Sequence, residues 1–156
     1  MFNENRDEFK FEWDHLGDIN LGRPNLGTTT HVAVYRLMQF TLRDALIKHT
    51  DPETARRIFY DAGYVSGQAI YENLLAPVDD FSDLVSGMTR IFRELQIGIL
   101  RLEQSDTRRL NFVLTVAEDL DCSGLPLHEE AVCTYDEGLL AGIFHSQLRS
   151  QNAFYE

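Results

Sequence analysis

VCTYDEGLLAGIFHSQL, from Val132 to Leu148, is the stretch on which the reading of the chain turns. Thr134, Tyr135, Asp136 and Glu137 have the spacing of a capping box, in which a threonine hydroxyl and a glutamate carboxylate satisfy free amides at a helix start. Tyr135, Leu139, Leu140, Ile143 and Phe144 then recur on one side of a 3.6-residue repeat, opposite Gly138, Gly142 and His145. The pattern predicts an amphipathic helix opening at Thr134. Cys133 stands one position outside it, where the helix dipole favours a thiolate. Asp136 shares the helical angle of Leu140, towards the core. It is either a first-turn acid favoured by the dipole or a buried anchor for a ligand or for the preceding loop.

Upstream of that helix the period changes. Ile97 to Glu103 and Leu110 to Glu118 read as strands, the second alternating Leu110, Phe112, Leu114 and Val116 with polar positions. Gln104 to Arg109 is a polar connection suited to a hairpin, and EDLDCSGLPLHEEAV is a loop leading into the last helix. Earlier still, Phe81, Leu84, Val85, Met88, Ile91 and Phe92 predict a helix over Asp80 to Leu95. Two more helices precede it. Val34, Leu37, Met38, Thr41, Leu42 and Ala45 form the stripe of the first, with Arg36, Arg43 and Lys48 away from it. Asp51-Pro52 restarts the chain after His49, proline being tolerated in a first turn, so an αα-hairpin is expected. The second helix carries Ala55, Ile58, Phe59, Ala62, Ser66, Ala69 and Ile70 on its inward stripe. Its small middle, Ala62, Gly63, Ser66 and Gly67, serves either close helix packing or room for a ligand. Tyr60, Tyr64 and Tyr71 lie on the other side and suggest either cover from the N-terminal arm or, the favoured reading, a subunit contact.

Residues 1–27 form an N-terminal arm, with Phe9, Phe11 and Trp13 in a short edge strand and a glycine-rich extended loop after them; residues 28–156 form one domain. At the other end, Ala153 to Glu156 begins a strand that the chain does not continue, so the domain is expected to be cut short there. A net charge of −11 opposes nucleic-acid phosphates and anionic lipid. No apolar run approaches the roughly 18 residues of a membrane span, and no secretory signal opens the chain. Two cysteines make no disulfide framework, so a cytoplasmic, reducing setting is expected.

Phosphate-binding glycine loops, HExxH, GxSxG and CxxC are all missing, and no histidine has an i, i+4 partner. Chemistry is left to cysteines and carboxylates. Cys133 is either a small buried apolar residue or a zinc ligand, and Cys122 lacks the tight spacing that would make it a partner.

GRPNLG (Gly22 to Gly27), VYRLMQFTLRD (Val34 to Asp44), IFYDAGYVSGQ (Ile58 to Gln68), IGILRLE (Ile97 to Glu103), EDLDCSGLP (Glu118 to Pro126) and CTYDEGLLAG (Cys133 to Gly142) together resemble the 4-vinyl reductase domain family. Its stand-alone members are called hydrocarbon-binding proteins. The resemblance runs from about Gly17 to the C-terminus. It implies an α+β domain, an antiparallel sheet packed against helices with an N-terminal αα-hairpin and a long C-terminal helix. It also implies the fold shared by haem nitric-oxide sensors and vesicle-tethering subunits, a dimer, and a small hydrophobic or aromatic ligand. In phenol-sensing members zinc is held by a cysteine before the last long helix, a glutamate in the next strand and two further cysteines. The first two correspond to Cys133 and Glu156, so zinc would belong to a longer form of the chain.

The function expected is therefore that of a homodimeric sensor or carrier. Its apolar ligand would be lined by Met38, Leu42, Phe59, Ala62, Ser66, Phe112 and Leu140 and would act through a partner or dimer contacts. The alternative is an interaction subunit with a filled core. An enzyme reducing a vinyl group would need a redox site that no motif supplies.

Overall fold

The computed structural model describes residues 10–75, 78, 80–106, 111–126 and 133–153, the last three as backbone. Residues 1–30 and 31–156 are separate units. In the first, the Glu12 N–H donates to His15 Nδ1 at 3.0 Å across a 3-10 turn, Trp13–Leu16. Asp18 accepts the Leu21 N–H at 2.9 Å and caps a one-turn helix, α1, Ile19–Gly22. These local bonds occupy the backbone groups that a strand needs, so Phe11 and Trp13 do not form the expected edge strand, and the loop after them contains a helical turn. Phe9 lies outside the described residues.

The second unit runs α2 (Val32–His49), α3 (Pro52–Ile70) with a π-helical turn at Tyr71–Leu75, α4 (Phe81–Glu94), β1 (Ile99–Asp106), β2 (Asn111–Ala117) and α5 (Thr134–Ala153). This is an α+β fold with an antiparallel pair of strands and a long C-terminal helix, as the sequence predicts. Polar caps set the helix starts: Asp51 accepts Thr54 N–H and Asp80 accepts Ser82 N–H, both at 2.9 Å, and His31 Nδ1 accepts Ala33 N–H at 3.1 Å. Helix α5 opens at Thr134 as expected, but its cap is Cys133, whose carbonyl accepts the Glu137 N–H at 3.1 Å. Thr134 is thus the buried first helical residue, not the outer member of a capping box.

Strand β1 begins two residues later than expected because Ile97 and Gly98 donate back to the Phe92 carbonyl and Ile97 accepts from Leu120. It then extends through Gln104, Ser105 and Asp106, which pair with Val113, Phe112 and Asn111 across a bulge after Leu102. The connection predicted over Gln104 to Arg109 is correspondingly shorter. At the C-terminal end Ala153 belongs to α5, not to a strand, and Glu156 lies outside the described residues.

The core joins α4, β1 and α5 through Leu84, Met88, Phe92, Leu100 and Ile143, each under 2% exposed. Phe81, Phe112 and Phe144 stack beside it, the first pair with ring centroids 4.1 Å apart. Helices α3 and α5 approach each other closely. Side chains on Gly63 and Gly67 would strike the carbonyls of Tyr135 and Leu139, and on Gly138 and Gly142 those of Tyr60 and Tyr64. The glycines therefore permit backbone-to-backbone approach, the close-packing alternative for the small middle of α3.

One sequence expectation is narrowed by this packing and another is reversed. Two of the three tyrosines in the row meet α5: Tyr64 bonds His145, and buried Tyr71 bonds Gln147 and Ser150, each at 2.8 Å, while Tyr60 is exposed. The apolar stripe of α2 faces outward, with Val34, Leu37, Met38 and Leu42 all at least half exposed. Its other side holds buried Gln39 and half-buried Tyr35 and Arg36. Amphipathic spacing finds two faces, but it does not say which one the chain itself covers.

Replacing Gly138 by alanine is expected to lower stability by about 1–3 kcal/mol, because the added methyl meets main chain. Gly22→Ala, with open space around it, serves as the control. Denaturant midpoints check both; equal midpoints for Gly138→Ala and the parent would contradict the close contact.

Candidate functional site

The turn after β2 builds the site. Asp119 Oδ1 accepts the Asp121 and Cys122 N–H groups at 2.8 and 2.9 Å and the Cys122 sulfhydryl at 3.2 Å. Gly124, at φ +79°, closes the turn in the region that glycine enters without strain. From α2, the Arg36 guanidinium donates to the carbonyls of Leu120 and Ser123 at 2.8 Å and of Asp119 at 3.3 Å. The Tyr35 hydroxyl donates to Asp121 Oδ1 at 2.7 Å. The start of α5 supplies Cys133 and Asp136. The Cys133 sulfhydryl lies 2.8 Å from Cys122 Sγ, and one donor atom each of Asp119, Cys122 and Cys133 falls within 4.8 Å of the others.

Three carboxyls are buried here: Asp119 at 5% exposure, Asp121 at 2% and Asp136 at 7%. Asp121 Oδ2, Asp136 Oδ2 and Gln39 Oε1 have no hydrogen-bond partner among the described residues. The ion pairs formed there, Arg56 with Glu53 and Arg90 with Glu94, are exposed and on helices away from these acids. Burying ionised carboxylates without compensation is costly, so protons or a cation must offset the charge. Burial, then Asp121, then Asp119 pushes the Asp136 carboxyl up to about 9, and burial and Asp119 push Asp121 up against the opposing bonds from Tyr35 and Gln39. Tyr35 is held well above the usual phenol range by burial and by Asp121.

The thiolate expected at the α5 start is not favoured in this setting. Burial pushes the Cys133 thiol up; the Cys122 sulfhydryl pulls it down, and Asp119, Asp136 and Asp121 push it up again. Cys122 is raised by burial, by its bond to Cys133 and by Asp119. Three neighbouring acids outweigh one helix end.

Beside this cluster a hollow of about 160 Å³ opens between α2 and α3, lined by Tyr35, Met38, Gln39, Leu42, Leu46, Ile58, Phe59, Ala62 and Tyr135. Tyr35 belongs to both sites: its ring lines the hollow and its hydroxyl reaches Asp121.

Of the residues expected to line a ligand, Met38, Leu42, Phe59 and Ala62 border this hollow. Ser66 reaches it indirectly, by a hydrogen bond to the Tyr135 hydroxyl. Phe112 stands in the aromatic stack with Phe81 and Phe144, and Leu140 is half-buried on α5 outside the lining. Asp136 sits in the first turn of α5 and is buried there. Of the zinc set implied by the resemblance, Cys133 lies with Asp119 and Cys122, and Glu156 lies outside the described residues. Sequence reasoning does not single out Asp119, Asp121, Tyr35 or Gln39, and it sets Cys122 aside for want of ligand spacing. The available signal was Asp119-Leu120-Asp121-Cys122 before Gly124, a turn sequence that concentrates donors.

The Asp136 shift fixes a sign. A carboxyl raised to about 9 keeps its proton in the folded chain while the unfolded chain loses it near 3.8. The unfolded state then binds fewer protons, so this stabilisation is full below about pH 4 and is lost as pH rises towards 9. In chelator-treated protein, Asp136→Asn is expected to gain on the parent from about pH 5 to pH 8, by up to about 1.4 kcal/mol per pH unit. Asp119, Asp121, Tyr35 and both cysteines face the same space, so denaturation is compared between the two chains at each pH. A stability difference independent of pH would contradict the buried protonated acid.

Among the described residues, no helix is long and apolar enough to cross a membrane. Compared with known proteins, the chain matches no family model, no curated protein and no solved structure.

Proposed function

We propose that this chain is a receptor or carrier for a small apolar molecule, the size of a single aromatic ring, taken up between α2 and α3. The observation that carries the proposal is the hollow of about 160 Å³, a volume of the order that holds one such ring. Met38, Leu42, Leu46, Ile58, Phe59 and Ala62 give it apolar walls. Tyr35, Gln39 and Tyr135 add a few polar groups that would orient a hydroxyl or similar handle. The resemblance to hydrocarbon-binding proteins points to the same ligand class.

A second copy of the chain is the proposed partner. Leu37 is 66% exposed, Met38 61% and Leu42 50%, an apolar face that a soluble chain ordinarily covers. It borders the hollow through Met38 and Leu42, so dimerisation would also close the ligand in. The interaction-subunit alternative keeps this dimer and dispenses with the ligand.

Thermal shift against a panel of monocyclic aromatic compounds tests the ligand. A ligand at a hundred times its Kd contributes about 2.7 kcal/mol, or roughly 5–10 °C for a domain of this size. Ala62→Phe fills the hollow and is expected to abolish that shift while the fold persists. No shift for any compound, together with native mass spectra of host-purified protein showing only bare chain, would remove the ligand. Light scattering tests the dimer: the parent is expected at twice the chain mass and Leu37→Glu at the single mass. A monomeric parent would contradict it.

A further inference from the structure

We infer that Asp119, Cys122 and Cys133, with buried Asp136 beside them at the start of α5, form a binding site for a thiophilic divalent cation of the zinc type. The site clamps the turn after β2 to the start of α5. It is separate from the apolar hollow and needs no ligand there.

Two observations carry it independently. The first is convergence: a carboxylate and two sulfurs from two separate segments, with their donor atoms within 4.8 Å of one another. Two thiolates and a carboxylate suit zinc, which accepts both donor types and leaves a fourth position for water or another oxygen. The second is lack of compensation. Asp136 and Asp121 are more than nine-tenths buried, and each has one oxygen without a hydrogen-bond partner among the described residues. Arg36 reaches the turn, yet its hydrogen bonds there go to carbonyls. A divalent ion would supply positive charge beside these buried acids.

The distances ask for little adjustment. Cys122 Sγ and Cys133 Sγ stand 2.8 Å apart, and two thiolates on one tetrahedral zinc are separated by about 3.8 Å, so the sulfurs must part by roughly 1 Å. Asp119 Oδ1 is already 3.2 Å from Cys122 Sγ. Binding releases protons to solvent: each thiol gives up one as its sulfur–metal bond forms. Oxidation state does not change at any atom.

The test is cobalt(II), followed by zinc competition, on the reduced, chelator-treated full chain. The expected result is one cobalt per chain, with the visible bands of a tetrahedral site and a thiolate charge-transfer band whose intensity matches two sulfurs. Zinc should displace the cobalt. Cys122→Ser is expected to weaken zinc binding about a hundredfold or more, and Asp136→Asn about tenfold or more. Glu156→Ala should bind as the parent does. Because intensity reports the sulfur count in the unaltered chain, the test stands even if Cys122→Ser fails to fold. Three results would each overturn the site: no metal uptake by the reduced chain, a band matching one thiolate or none, or binding lost in Glu156→Ala and kept in Cys122→Ser. A Cys122–Cys133 disulfide that accounts for the pair, with no uptake after reduction, falls under the first.

Discussion

The burial of Asp119, Asp121 and Asp136 is the constraint on which the arrangement of this chain depends. Carboxyls cannot be enclosed unless something donates to them, and the nearest element with donors to offer is α2. Tyr35 gives its hydroxyl to Asp121, and Arg36 ties up three carbonyls of the same turn. Gln39 is drawn inside with them. Once that side of α2 is committed to the acidic turn, its apolar side has to face out. The exposed Leu37 and Met38 and the hollow beside Phe59 and Ala62 are therefore consequences of one choice.

A second constraint holds the opposite flank. Four glycines bring α3 and α5 to main-chain contact, which fixes where Tyr135, Asp136 and Cys133 stand. Tyr135 then borders the hollow and Asp136 joins the acids, so both candidate sites share α5 as a wall. The close-packed interface and the open one lie on different sides of α3. Small residues thus serve two ends on one helix: Gly63 and Gly67 admit a backbone, while Ala62 borders empty space.

Much of this was legible in the residues. The restart at Asp51-Pro52, the apolar stripe from Asp80, the start at Thr134 and the alternation after Leu110 marked the elements to within a few positions, because these signals are local. Orientation was not legible. The Val34–Leu42 stripe read as inward because apolar faces usually seek the core, whereas here buried acids made the polar face the inner one. The tyrosines read as surface because their hydroxyls are polar, yet Tyr71 and Tyr64 find partners on α5. The acid–thiol cluster escaped notice because Cys122 and Cys133 have no recognised ligand spacing, and only the fold returns the turn to the helix start.

The direction in which α2 faces is the claim everything else rests on, and a double-mutant cycle on Tyr35→Phe and Asp121→Asn measures it directly. A phenol donating to a buried acid at 2.7 Å should show a coupling free energy of about 1–3 kcal/mol in the unfolding equilibrium. Additive effects, within about 0.3–0.5 kcal/mol, would mean that the two side chains do not meet. The helix would then face the other way, with its apolar stripe in the core.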